Sequence, residues 1–415
     1  MRKSAVTLPF LLVVTAAVLG RMAVPPAARA GSLYSVLGLG QTSTFVSGQA
    51  NGMGGAGIAH ADVVAINALN PAAERPFPLT RVSATFLYEG VRLRTTLASG
   101  WHNYAGPAAF RLNVPLGSAW AVTAGFAPVS LRDYSLTARG EFQHTWFGGQ
   151  KEVTYAQERE GSGGLSALSL DVCRMIGKRI SLGLGGRFIY GTLKDTWRLT
   201  FDSDQFRPTE DQYSLHARGM SVVAGVLVEP LENLRVGAFY QNKASLTLER
   251  RGESRYVYSD TVGTVRSVYP AALGLGVYAG LGKSWTLVAD FRLQDWHQFR
   301  WDDRPDPLAQ KAWRVGAGAQ FAAPVGMLSS FWKKIQLRAG AYREVLPFTA
   351  TQGKILDEKA LTFGLGVPLP EGRGRLDVAL AVGRRGNTRD FPVEETFLRT
   401  TVTFVGAEKW FIKLR

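Results

Sequence analysis

The 415-residue chain is poor in the residues from which most active sites are built. Its one cysteine, Cys173, excludes a disulfide framework and any cysteine-rich metal site. The five histidines, His60, His102, His144, His216 and His297, are scattered, with no H-x-x-x-H pair to grip a metal from one helix face. G-x-S-x-G is absent. Gly282-Lys283-Ser284 has the ending of a phosphate-binding loop, but Val277 stands where the first glycine is required, so the triplet reads as a turn. A lipase built into a barrel would need a Ser and a His to meet in space, and no motif arranges that. The chain is therefore not expected to be an enzyme, and no metal or cofactor is expected. Long apolar runs are equally scarce: beyond the N-terminus no run of 18 or more apolar residues occurs, which excludes a bundle of spanning helices.

The one apolar run, Ala5 to Gly20, follows Arg2-Lys3 and precedes Ala28-Arg29-Ala30. A short basic stretch, an apolar stretch and an A-x-A site describe a secretory leader over residues 1–30. Pro25-Pro26 and the shortness of the run argue against a membrane anchor. Losing Arg2, Lys3, Arg21 and Arg29 with the leader lowers the formal charge from +15 to +11. An exported chain rarely meets a genome, so the basic balance points to an anionic membrane surface and not to nucleic acid. Without spanning helices, the remaining way through a membrane is a closed β-barrel.

From about residue 80 the sequence alternates with period two, the strand signal. Ile180, Leu182, Leu184, Phe188 and Tyr190 share one face, and Ser181, Gly183, Gly185 and Arg187 share the other. Leu376, Val378, Leu380 and Val382 likewise oppose Asp377, Ala379, Ala381 and Gly383. Connections alternate between short turns, such as 175–179 and 280–284, and long polar stretches, near 139–163, 200–213, 250–266, 297–311, 345–357 and 385–395. That alternation describes a transmembrane outer-membrane β-barrel better than an exported β-sandwich. The rule places strands near 80–98, 105–115, 118–138, 150–175, 180–199, 213–228, 234–250, 267–280, 284–297, 311–322, 335–344, 358–368, 375–385 and 395–405. The expected fold class is all-β, about 14 antiparallel strands over 80–405, with a periplasmic tail at 406–415. Trp120, Trp285 and Trp313 are expected in one aromatic girdle, and Trp197, Trp296 and Trp301 in the other.

Residues 31–79 do not read as strands and are expected to form a small N-terminal hatch or plug. Gly52, Gly54 and Gly57 satisfy G-x-G-x-x-G, but no strand precedes them and no βαβ unit surrounds them, so a dinucleotide site is not expected. The glycines, Gly55 among them, fit close packing and positive φ in a plug. Ile58 to Asn67 has a helical look, and Asn70-Pro71-Ala72 follows. The segment Met53 to Ala59, Asp62, the Asn70-Pro71-Ala72 triplet, the fourteen strands and the tail Glu408-Lys409-Trp410-Phe411 together resemble the FadL-type outer-membrane transporters of hydrophobic compounds, which include TodX-like proteins. The chain departs from many barrels in ending Leu414-Arg415 instead of in an aromatic. The resemblance implies passive uptake: capture by outer loops, a plugged lumen, and exit sideways through a kink in the third strand. Here Gly125-Phe126-Ala127-Pro128 lies in the third strand, and Pro128 cannot donate a ladder bond.

Strand alternation puts Arg187, Arg235, Arg292, Arg314, Arg338 and Arg399, with Asp290, Asp171 and Asp377, on the inward face. Guanidinium groups bind carboxylate and similar anions in bidentate fashion, but an Arg–Asp network that stiffens the lumen needs the same residues. The expected function is passive passage of hydrophobic or amphipathic small molecules, resembling fatty acids or hydrocarbons, by a monomer surrounded by outer-membrane lipid and lipopolysaccharide. The alternative is a non-transport barrel component of a protein-secretion or surface-attachment system.

Overall fold

The computed structural model describes residues 31–410, apart from 44–45, 68, 97–98, 147–148, 256–262, 302–303, 325–329 and 370–372. The leader at 1–30 and Phe411 of the tail lie outside the described residues. The chain closes into an antiparallel barrel of fourteen strands. These are β1 Thr80–Arg94, β2 Ser99–Leu116, β3 Trp120–Leu131 continued by Tyr134–Trp146, β4 Gly149–Ile176 and β5 Ile180–Phe201. Next come β6 Thr209–Leu231, β7 Leu234–Gln241 continued by Ala244–Ser254, β8 Gly263–Tyr269 continued by Ala272–Leu281, and β9 Trp285–Asp295. The last five are β10 Lys311–Phe321, β11 Gln336–Val345, β12 Asp357–Pro368, β13 Gly374–Arg385 and β14 Glu394–Glu408. The fifteen-residue ladder of β1 with β14, from Thr80–Glu408 to Arg94–Glu394, closes the wall.

The alternation of side chains explains why the sheet curls into a barrel and not into a sandwich. On β5, Leu182 and Leu184 point outward and are exposed, while Ser181, Gly183 and Gly185 point inward and are buried. Leu361, Phe363 and Leu365 of β12 repeat the pattern, with Ala360, Thr362 and Gly364 inside. An apolar belt this continuous around a barrel has hydrocarbon, not water, as its solvent. Among the described residues no helix is long and apolar enough to cross a membrane.

Three expectations need correction. The stretch 139–163 is no loop: β3 runs on to Trp146 and β4 starts at Gly149, so polar sequence continues as strand beyond the membrane. Polar sequence does not end a strand, because the ladder only asks that backbone groups be paired. Trp313 pairs with Leu293 and Val345 at the long-turn end of β10, opposite to Trp120 and Trp285. Trp296 belongs to no girdle: it is fully buried inside the barrel against Tyr269, Phe299 and Phe348.

Candidate functional site

The described residues among 31–79 pack inside the barrel against its wall. The expected helix from Ile58 to Asn67 is a set of turns and bends; among the described residues of the plug the one α-helix is Gly48–Asn51, capped by Ser47. Glycine accounts for how closely the plug approaches the wall. Gly54 has φ +70°, and a Cβ there would lie 2.4 Å from Ala341 O and 2.6 Å from Ala317 O. On the facing wall, Gly183 and Gly225 leave room for Asn70-Pro71-Ala72; a Cβ on Gly183 would lie 2.3 Å from Ala72 N. Asn70 caps the 3-10 turn Pro71–Ala73 by accepting from Ala72 N, and its amide donates to Ile58 O and Val226 O, both at 3.1 Å. Cys173 is buried with its thiol toward Ala72 O.

Polar groups complete the docking. Asp290 accepts from the amides of Gly57 (2.6 Å) and Ile58 (2.8 Å). Arg235 donates to Ala61 O at 2.9 Å and lies over the Tyr278 ring. Arg314 reaches Gly54 O at 3.3 Å and Glu344 at 2.7 Å. Arg338 is bound to Asp377 (2.6 Å) and Gln320 (2.7 Å), and Arg399 to Glu89 (2.5 Å) and Glu358 (3.2 Å). Arg187 pairs with Asp171 at 2.5 Å. Arg292 makes no ion pair among the described residues. The inward residues picked by alternation therefore sort into plug ties, buried networks and one uncommitted cation. The reading missed Arg111, although Phe110, Leu112 and Val114 alternate with Arg111 and Asn113 in plain view. It also missed Arg385, Glu395 and Glu358, which lie in or beside stretches taken for loops.

The wall is interrupted at β3. The β2–β3 ladder runs from Leu116–Trp120 to Phe110–Phe126 and stops. Beyond it the wall strand that β3 still pairs with is β4 on its other side, with a register shift between Pro128 and Ser130. A residue without an N–H is suited to an edge and to an irregular register. The free edge is taken by the plug: Gln41 and Thr42 pair with Leu131 and Ser130, and Ser43 N donates to Val129 O at 2.8 Å. Gly125 sits one pair before the break on the inward face, and a Cβ there would lie 3.0 Å from Arg111 Cγ. Two cavities meet Pro128 from inside, one of about 180 Å³ and one of about 110 Å³. A cleft of about 910 Å³ lies between the long-turn halves of β2 and β3, between Trp101 and Asn103 on one side and Asp133 and Ser135 on the other.

Titration of the plug has two opposed parts. Burial lowers the His60 imidazole to about 4, aided by Arg235, Arg375 and Arg338 and opposed by Asp62. Burial would raise Asp62, but the Arg375 guanidinium outweighs it and holds the carboxyl well below the usual range. Burial raises Glu74 to about 7 against the pull of Arg81 and Arg111. Neutral His60 stabilises the plug above about pH 6.5, and that contribution is lost as pH falls toward 4. The folded state holds the Glu74 proton more tightly, so its contribution is present below about pH 4.5 and lost as pH rises through 7. On acidification from pH 7 to 4.5, plug amides should become better protected in His60→Gln and less protected in Glu74→Gln. Hydrogen exchange corrected for intrinsic rates checks this; equal profiles in the two variants would refute it.

Barrel, inward-packed plug and broken third strand define the class: an outer-membrane β-barrel of the FadL-like architecture. The chain belongs to the BamG family, whose model matches residues 9–415. Its fold is similar to that of the Ralstonia pickettii toluene transporter TbuX (14% identity, 87% of this chain and 97% of that one, TM-score 0.59). It is also similar to a Pseudomonas aeruginosa FadL homologue (11% identity, 89% and 99%, TM-score 0.58). The Pseudomonas putida toluene transporter TodX matches as well (14% identity, 89% and 100%, TM-score 0.54). No curated protein matches the chain. The FadL-type resemblance thus holds for the fold, under a differently named family.

Proposed function

We propose that this barrel passes hydrophobic or amphipathic small molecules passively across the outer membrane, leaving sideways through the wall beside Pro128. The observation that carries the reading is the end of the β2–β3 ladder at Phe110–Phe126, with cavities on its lumen side and a cleft between the strand halves beyond it. The solved structures of similar fold, two toluene transporters and a FadL homologue, agree with it. In this reading residues 31–79 act as the hatch, with Gly52, Gly54, Gly55, Gly57 and Asn70-Pro71-Ala72 holding it shut, and the leader directs export. The barrel acts as a monomer, without a cofactor.

One observation favours the second reading, a barrel that carries nothing and serves a protein-secretion or surface-attachment system. Where the plug meets the long connections the lumen is packed with apolar side chains: Leu39 of the plug, Trp296 and Phe299 are fully buried and Phe348 nearly so. A transporter has to open that cluster. Mass spectrometry of lipids and hydrocarbons that co-purify with the barrel separates the two. Bound amphiphiles, with slowed uptake in a deletion strain, are the expected result; a barrel that retains none, in a strain with normal uptake, supports the second reading.

A further inference from the structure

Beyond its break the third strand keeps one edge bare. From Tyr134 to Trp146, β3 pairs residue for residue with β4, Tyr134 opposite Gly161 and Trp146 opposite Gly149. Among the described residues no strand pairs with its other edge. The strand across the cleft, β2, pairs with β3 only from Phe110 onward. An unpaired edge presents a row of N–H and C=O groups to any extended chain, so proteins guard edges with proline, lysine, a bulge or shortness. This edge has none of the four: it is 13 residues long, without proline or lysine, and its register is unbroken. Lower on the same strand an added segment is already in place, where Gln41 and Thr42 of the plug pair with Leu131 and Ser130.

The two faces beside the bare edge differ in chemistry. On the inward face Phe142 meets Tyr155, Phe201 and Phe206, with ring centroids 6.2, 6.4 and 5.3 Å away, and His144 meets Phe206 at 5.2 Å. These rings hold the polar ends of β3, β4 and β5 together as a small sheet with its own core. Leu136 and Ala138, next to the bare edge on that face, stay exposed. The other face, continuous with the outward Leu168 and Leu170 of β4, carries Glu141, Glu152, Glu158 and Glu160 against Arg139 and Arg198. Arg198 is already held by Glu160 at 3.1 Å and by Glu210 at 3.2 Å. Glu152 faces Gln143, one residue pair from Glu141, and the Glu141 carboxyl raises it above its ordinary range. That face is short of cations.

We propose that the bare edge of β3 from Ser135 to Thr145 is a docking site for an extended segment of another protein, which adds to the sheet as a strand. Backbone pairing supplies the attachment and alternate side chains the choice of partner. The segment that fits alternates basic residues, over Glu141 and Glu152, with apolar residues, over Leu136 and Ala138. The inference goes beyond passage and is independent of it, because the edge lies past Ser130 on the polar strand ends. The test uses the intact barrel in non-ionic detergent and a labelled peptide of about twelve residues alternating Lys and Val, matched to the edge. Fluorescence anisotropy should show this peptide binding at least about tenfold more tightly than one alternating Glu and Val. Hydrogen exchange should show every second amide from Ser135 to Thr145 becoming protected. Glu141→Lys/Glu152→Lys should abolish the preference; both side chains are exposed, so gel mobility should match the native barrel. If neither peptide binds, or both bind alike, the proposal is overturned. Binding without the period-two protection also overturns it, since the peptide then only adheres to the acidic face. Amides protected before any peptide is added would mean the edge is already covered, by a second copy if light scattering finds a dimer and by the chain itself if it finds a monomer; either result overturns the partner. Uptake and co-purified amphiphiles report on passage separately and are expected to be unchanged in the double variant.

Discussion

Replacing Arg385 by Ala should destabilise the barrel by about 3–5 kcal/mol, the range for removing one partner of a buried charge pair. The Arg385 side chain has no solvent exposure. It binds Glu358 at 2.6 Å, Glu395 at 2.5 Å and Glu89 at 3.3 Å. Arg399 shares Glu89 and Glu358, so two guanidinium groups stand against three carboxylates before any substitution. Without Arg385 one cation faces three buried acids. The loss should spread to the plug, because Glu395 also accepts from Ser32 Oγ at 2.8 Å and from Leu33 N at 2.8 Å. Arg385→Lys should fall between, since an ammonium cannot reach three carboxylates in the fixed fork that a guanidinium offers. Urea unfolding from lipid vesicles, read by gel mobility, measures the cost, and proteolysis near Ser32 reads the plug. A loss below about 1 kcal/mol, the size of an exposed pair, would mean the cluster is solvated.

The barrel was legible because membrane physics writes it into every strand. An inward Gly183 beside an outward Leu182 and Leu184 carries the same information as the full ladder, and fourteen such runs have one closed solution. What the sequence hid was long-range. Gly54 looks like any other glycine until Ala317 and Ala341 are known to lie against it. Arg292 and Arg338 are indistinguishable by alternation; only register places Arg338 beside Asp377 and Arg292 opposite Arg314. Pro128 announced a break in a strand, yet nothing local says which neighbour departs. Here β2 separates while β4 stays, and the vacated edge is filled from residues 41–43, almost ninety residues earlier in the chain. The polar strand ends failed for a different reason: above the membrane the outward face meets water, and period two loses its apolar half.

Gly54→Val should turn a closed barrel into a conducting one. At φ +70° a β-branched residue is strained by roughly 1–2 kcal/mol or more before any contact is counted. Its Cβ would also stand 2.4 Å from Ala341 O and 2.6 Å from Ala317 O, and one of the two sides has to move. The wall will not: Ala317 and Ala341 are paired to each other in an unbroken β10–β11 ladder with neighbours on both flanks. The plug has fewer ties, and those nearest are the ones a shift would break, Gly54 N to Thr362 Oγ1 at 2.9 Å and Arg314 to Gly54 O at 3.3 Å. Asp290 would then lose Gly57 and Ile58, leaving a carboxylate facing an emptied lumen. The expected result is discrete conductance steps in planar bilayers from a barrel whose circular dichroism is unchanged. Gly117→Ala is the control, because Gly117 has φ +73° with nothing within 4 Å, so it tests backbone strain without the wedge. Conductance in both variants would implicate strain alone. Silence in Gly54→Val, with the plug still protected from protease, would mean the wall had yielded instead.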